Sequence, residues 1–336
     1  MESIRVFVGL DYHQDSVQVC VLDEAGGVRV NRSVPNDAGV IATVVENQGT
    51  RVFAAIESCS GAASLADELV GRIGWSVDLA HPGFVARMKQ NPDKTDYSDA
   101  RMLADLERVG YLPKVWLAPQ EVRELRRLVR YRHQLVDERR RIKLRISALL
   151  RDQRIRCPYA SGTQGWEKWL QTTQEVSEES QWLLPRYAKR VRSLKEEIAE
   201  VEARLGLLTK NDPVVTALQK QKGIGLVTAC TLRAEIGRFD RFRTGKQLAR
   251  FCGLSPRNAS SGARQADAGL IRAGNRELRA TLMEAAHRLI RFDDPWKMFA
   301  KRLLDQGKPK CVVVAAAANR WIRGLFHQMQ PAKLAA

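Results

Sequence analysis

Val6-Phe7-Val8-Gly9-Leu10-Asp11 is the stretch that decides how the first third of the chain folds. A short apolar run closed by an acid reads as a buried strand with a carboxylate at its end. Working outward, Val17 to Leu22 alternates as a second strand. The turn Glu24-Ala25-Gly26-Gly27 leads to a third at Val28 to Val34. A helix over Ala38 to Glu46 follows, then a strand over Val52 to Ile56 that ends at Glu57, a helix over Ala63 to Ile73, and a strand over Val77 to Ala80. Three strands in meander order, followed by strands alternating with helices, predict an RNase H-like layered α/β sheet.

Beyond about residue 112 the pattern turns helical. Gln120 to Cys157 holds 13 Lys/Arg against 5 Asp/Glu. In it Leu128, Leu135, Ile142 and Leu149 recur every seven residues, flanked by Leu125 and Ile146. After a break from Pro158 to Trp169 a cleaner seam runs through Leu184, Tyr187, Val191, Leu194, Ile198, Val201, Leu205 and Leu208. Spacings of three and four are those of a coiled-coil stripe, and two such helices with a connector make a hairpin or a dimerisation arm. From Asp212 onward the chain reads as all-α, with Gly223-Ile224-Gly225 between two apolar helical stretches. Glycines in such a loop bring backbone N–H groups close to a phosphate, or simply allow a tight helix–helix turn. Asp294-Pro295 reads as the N-cap and first residue of a later helix. The expected division is an α/β domain over 1–112, a coiled-coil region over 113–210 and a helical domain over 211–336.

Bulk composition narrows the partners. The chain has 336 residues, 44% of them hydrophobic, so it can bury real cores. A net charge of +17 exceeds what solubility needs and points to a polyanion. Membrane lipid is the competing polyanion, but no segment stays apolar for the ~18 residues of a span. The longest run, Cys311 to Ala318, reads as a buried helix, and no signal peptide is visible. Six scattered cysteines without a C-x-x-C pair argue against zinc and disulfides and suit a reducing cytoplasm. DNA or RNA is the expected partner.

Two constellations carry chemistry. Asp11 and Glu57 end strands of one sheet, where neighbouring strand ends lie within side-chain reach. Asp96 and Asp99, in Lys94-Thr95-Asp96-Tyr97-Ser98-Asp99-Ala100, open a helix and share one face at i, i+3. Singly, each is an ordinary turn or first-turn acid. Gathered, four acids repel unless a divalent cation sits between them, and hard oxygen donors suit Mg²⁺ or Mn²⁺. An actin-like nucleotide site also begins with strand, Asp and hairpin, but it needs a small residue after the Asp. Here bulky Tyr12-His13-Gln14 follows.

The second constellation is Gly253-Leu254-Ser255-Pro256-Arg257-Asn258-Ala259-Ser260-Ser261-Gly262, followed by Arg264, Arg272 and Gly274-Asn275-Arg276. A serine before glycine presents its hydroxyl without crowding, and arginines nearby neutralise a phosphate. The same loop in isolation is a polar turn. It holds no histidine, which argues against a Ser-His-Asp hydrolase.

In this order the residues resemble the DEDD transposases of bacterial insertion sequences, relatives of the Piv-type DNA invertases. The resemblance rests on Asp11, Glu57, Asp96, Asp99, Gly223-Ile224-Gly225, Gly253-Leu254-x-Pro256, Ser261-Gly262 and Gly274-Asn275-Arg276. It implies a RuvC-like domain whose metal ligands are Asp11, Glu57, Asp96 and Asp99, with Ser261 as a nucleophile that attaches covalently to DNA. Ser260, one residue earlier, stays open as the alternative. It further implies nucleic-acid contacts through Gly223, Gly225, Arg257, Arg264, Arg272, Asn275 and Arg276, a guiding bridge RNA, and assembly as a homodimer or homotetramer. Two other functions remain compatible with the residues: a metal-dependent junction nuclease that needs no serine, and a non-catalytic nucleic-acid scaffold.

Overall fold

The computed structural model describes residues 4–88, 95–258, 267–271 and 274–331. The chain divides into two compact units, Met1–Ala118 and Pro119–Ala336. In the first, β1 (Arg5–Tyr12), β2 (Ser16–Leu22) and β3 (Val28–Pro35) form an antiparallel meander. β4 (Arg51–Glu57) and β5 (Ser76–Ala80) run parallel to β1, and two-residue β6 (Lys114–Val115) closes the edge. The sheet order is β3-β2-β1-β4-β5-β6.

Alternation along β1 assigns the two faces. Val6, Val8 and Leu10 enter a core shared with Ile41 and Val45 of α1 (Ala38–Glu46) and with Leu65 and Leu69 of α2 (Ala62–Gly71). Phe7 and Gly9 belong to the opposite face, covered by α4 (Asp96–Arg108), whose Ala100 and Ala104 are fully buried. Gly9 is what lets α4 approach. A Cβ there would stand 1.8 Å from the carbonyl oxygen of Ala100 and 2.6 Å from the nitrogen of Ala104. The expected strands and helices are all present within one to three residues. Two elements were not foreseen, α3 (Pro82–Met88) and β6. Each is too short to show a period.

The second unit is built on two long antiparallel helices, α5 (Gln120–Asp152) and α7 (Glu178–Leu208), with α6 (Gln164–Thr172) inside the connector that read as a break. Leu135, Ile142, Ile146, Val191, Leu194, Ile198 and Leu205 of the expected seams are buried in one core. Arg132 pairs with Glu202 at 2.7 Å and Gln153 with Ser180 at 2.6 Å, fixing the antiparallel register. The two seams pack against each other as a hairpin within the chain, with Leu128, Leu149 and Tyr187 partly buried and Leu208, at the end of the second seam, exposed.

The same core takes in α8 (Pro213–Gln219), α9 (Leu226–Ile236), α10 (Gly245–Phe251), α11 (Arg276–Phe292) and α13 (Lys310–Gln328), while α12 (Asp294–Asp305) packs on α11 and α13. The all-α expectation for this region needs correction. A two-stranded hairpin, β7 (Pro256–Asn258) with β8 (Asp267–Leu270), leaves the end of α10. Pro256 lacks the N–H a helix needs and holds the residue before it extended. The cap of α12 is likewise one residue earlier than expected, at Asp293, whose carboxylate instead meets Lys222 at 3.0 Å. No helix among the described residues is long and apolar enough to cross a membrane.

Candidate active site

The carboxylates gather on the α4 face because strand parity puts them there. Residues 7, 9 and 11 of β1 point to one side of the sheet, as do 53, 55 and 57 of β4. The parallel register pairs Leu10 with Ile56, so Asp11 and Glu57 are the next neighbours across the sheet. On the other side of the site, Thr95 caps α4, accepting a hydrogen bond from the backbone N–H of Ser98, while the Ser98 hydroxyl accepts from the N–H of Thr95. That capping box starts the helix just where Asp96 and Asp99 fall in its first turn, and the close contact at Gly9 holds the turn over the strand ends.

His13 joins the group. Its Nε2 lies 3.5 Å from a carboxylate oxygen of Asp11 and 3.3 Å from one of Asp96. Ligand-type atoms of Asp11, His13 and Asp96 all lie within 4.8 Å of one another. Glu57 and Asp99 stand outside that tight trio but close enough to act on it. Burial raises the Asp11 carboxyl above its ordinary pKa; His13 opposes this, and Asp96, Asp99 and Glu57 each push it further up. The field at Asp11 is therefore that of a carboxylate crowded by three others. Oxygen donors with one imidazole nitrogen and excess negative charge fit a divalent cation.

His13 was missed as a site residue in the sequence, where it served only to exclude a nucleotide loop. The signal was present: at i, i+2 in extended backbone, Asp11 and His13 share a side.

In the second unit the structure gathers two of the sequence blocks. Gly274, at φ +100°, sits so close to the backbone of Phe251 and Gly253 that a Cβ would meet them at 2.7–3.2 Å. Ile271 N–H donates to Ser255 O at 3.0 Å, and the Arg279 guanidinium donates to Ile271 O at 2.8 Å. The Gly253–Arg257 segment and the Gly274–Arg276 start of α11 are thus neighbours. Arg257 and Arg276 are exposed there, and the side-chain oxygen of Asn275 caps α11 by accepting from the N–H groups of Glu277 and Leu278. Ser260, Ser261, Arg264 and Arg272 lie outside the described residues.

Gly223, with φ +79°, and Gly225, the N-cap of α9, form the turn between α8 and α9. The Arg288 guanidinium donates to Gly223 O at 3.2 Å. Arg288 is twelve residues along α11 from Arg276, so this turn lies roughly 18 Å from Arg276 along the helix.

Comparison with known proteins fits this arrangement. A DEDD transposase model of the IS110 type matches residues 8–154, the stretch that carries all four carboxylates. A second model, described as Transposase IS116/IS110/IS902 family, matches residues 215–301. The class is therefore that of insertion-sequence transposases.

Named relatives agree. The chain is 27% identical over 331 residues to the transposase for insertion sequence element IS1111A of Coxiella burnetii, covering 95% of this chain and 88% of that one. It is 29% identical over 289 residues to the putative transposase y4qE of Sinorhizobium fredii, covering 84% and 71%. A probable family 20 transposase of Pseudomonas aeruginosa is 28% identical over 296 residues, covering 84% and 78%. The chain belongs to the IS110 family of insertion-sequence transposases.

Proposed function

We propose that this transposase cuts and rejoins DNA strands at the ends of its element and at a target, using the Asp11 cluster as a metal site and Ser261 as nucleophile. The observation that carries the reading is the approach of Asp11, His13 and Asp96 to within 4.8 Å, with Glu57 and Asp99 raising the negative field around them. Asp11, Glu57, Asp96 and Asp99 would hold Mg²⁺ or Mn²⁺, with His13 offering a nitrogen donor. A cation held there would polarise the scissile phosphate and offset the charge that develops on it. We read the sheet as RNase H-like, of the RuvC type. The division 1–112, 113–210 and 211–336 is kept as the functional one.

Ser261 Oγ would form a bond to phosphorus as the P–O3′ bond breaks, the serine proton ending on the released 3′-hydroxyl. The phosphoserine link conserves the phosphodiester for rejoining, whereas attack by water would dissipate it. Exposed Arg257 and Arg276, with Arg264 and Arg272, would neutralise the phosphates. The Gly223–Gly225 turn and exposed cations of α5 would bind backbone elsewhere on the nucleic acid. A bridge RNA would select the DNA partners, and two or four copies would act together.

A nicked DNA substrate carrying the element end tests this. Wild-type protein with Mg²⁺ should form a covalent protein–DNA adduct, and Ser261→Ala should bind DNA but form none. An adduct that survives Ser261→Ala and vanishes in Ser260→Ala moves the nucleophile by one residue. Recombination untouched by either change assigns the chemistry to the carboxylates alone, as in a junction nuclease. Asp11→Asn should abolish strand transfer, and full activity in that variant or in EDTA would refute the metal site. RNA that co-purifies with the protein and is encoded beside its gene would support the guide.

A further inference from the structure

The second unit carries an open groove of about 1380 Å³ that neither the carboxylates nor the glycine turn uses. It is walled by α10 and α13 and floored by apolar side chains, among them Leu254, Met283, Phe299 and Val312. α13 has two distinct faces. Val314, Ala318, Trp321, Ile322 and Leu325 are buried in the core, while the groove face carries Ala315, Ala316 and Gly324, too short to fill the space. A Cβ at Gly324 would meet nothing within 4 Å.

Charge on the rim has one sign. Lys246, Arg320 and Arg323 line the groove, and neither α10 nor α13 contains a single Asp or Glu. The Arg320 guanidinium lies 5.2 Å from the centre of the Phe299 ring, so a cation and an aromatic face are presented side by side. Cations above an apolar floor match a nucleic-acid strand whose bases are unpaired. Its phosphates meet the rim while its bases leave water. A paired duplex hides its base faces in the stack and gains little from such a floor. The mouth includes Ser255, Pro256, Gly269 and Leu270, the feet of β7 and β8.

We propose that this groove holds an unpaired stretch of the DNA strand being cut. The choice of DNA rests on the serine reading given above, because the two strands at the mouth flank the segment that contains Ser261 in the chain.

Fluorescence anisotropy with full-length protein tests the groove using three probes of one sequence: a 12-nucleotide single-stranded DNA, the matching RNA, and the duplex. Arg320→Glu/Arg323→Glu and, separately, Gly324→Trp should each weaken single-stranded DNA binding at least tenfold while duplex binding changes less than threefold. Unchanged single-stranded binding in both variants overturns the proposal, and so does an equal loss on the duplex. A loss confined to RNA overturns the DNA assignment. A drop in mass by light scattering, with DNA binding intact, would assign the groove to a second copy of the chain and overturn it as well. Should Gly324→Trp fail to fold, the charge-reversal pair decides. Because binding is read without chemistry, a missing Ser261 adduct alongside lost single-stranded binding would refute the serine and leave the groove as a DNA site.

Discussion

The two units place their functional side chains by different means. In the α/β unit the backbone does it: strand parity and parallel register set Asp11 beside Glu57, and one glycine contact sets α4 over both. In the helical unit the backbone serves the core, and Gly223, Gly225, Gly274 and Arg276 occupy turns and a helix start around it, with Arg257 on the short strand β7. A sheet edge fixes geometry through hydrogen-bond register, whereas a loop leaves it to the local chain. The first unit should therefore lose function when its packing shifts, and the second when individual surface groups are removed.

The harshest test breaks the helical core itself. Leu194→Asp with Ile198→Asp buries two charges in the α5/α7 interface and should cost more than about 4 kcal/mol. Circular dichroism should show loss of much of the helical signal. A folded protein that merely dissociates would return the seam to a role between chains. Gly9→Val comes next. Its side chain collides with the Ala100 backbone, so the first unit should lose roughly 2–4 kcal/mol in denaturant unfolding, together with its strand-transfer activity. Stability and activity both near wild type would mean that α4 is not held by that contact.

A smaller effect is expected where the basic helix meets solvent. Arg126, Arg130 and Arg132 of α5 are already engaged, by Ala234 O, Glu235 and Glu202. Arg127, Arg141 and Arg145 are exposed and fall on one face, fourteen and four residues apart. Changing these three to Gln should leave folding intact and reduce the slope of log K against log salt on duplex DNA by roughly 0.9 for each contact removed. An unchanged slope would make α5 a packing element only.

How much of this was legible follows from the same contrast. Periods of two and of 3.6 revealed the strands, α1, α2, α4 and the two long helices, because each has one buried face to imprint on the sequence. α3, α6 and β6 are short, and the β7–β8 hairpin depends on chain reversal rather than on a buried stripe, so periodicity did not show them. Asp11 and Glu57 could be read as strand ends. His13 could have been added from its i, i+2 spacing to Asp11, but the tight trio could not, since the meeting of His13 with Asp96 depends on where α4 docks. The cap of α12 was misassigned by one residue because two aspartates stand side by side and Lys222, distant in sequence, draws on one of them.

Removing one charge from the crowded site has the gentlest effect on stability. Asp11 has a raised pKa in the folded state, so ionising it disfavours folding as pH rises from its unfolded value through its folded one. Asp11→Asn should therefore raise the melting temperature of metal-free protein at neutral pH. A lower melting temperature would mean that Asp11 is stabilising rather than repelled.

Titration of Mn²⁺ into the full-length protein, followed by calorimetry, tests the cluster most directly. Wild type should show saturable binding, and Asp11→Asn should weaken it at least tenfold while remaining folded. Equal binding by the two proteins, or no saturable binding by wild type, would contradict the assignment of Asp11, Glu57, Asp96 and Asp99 as a metal site.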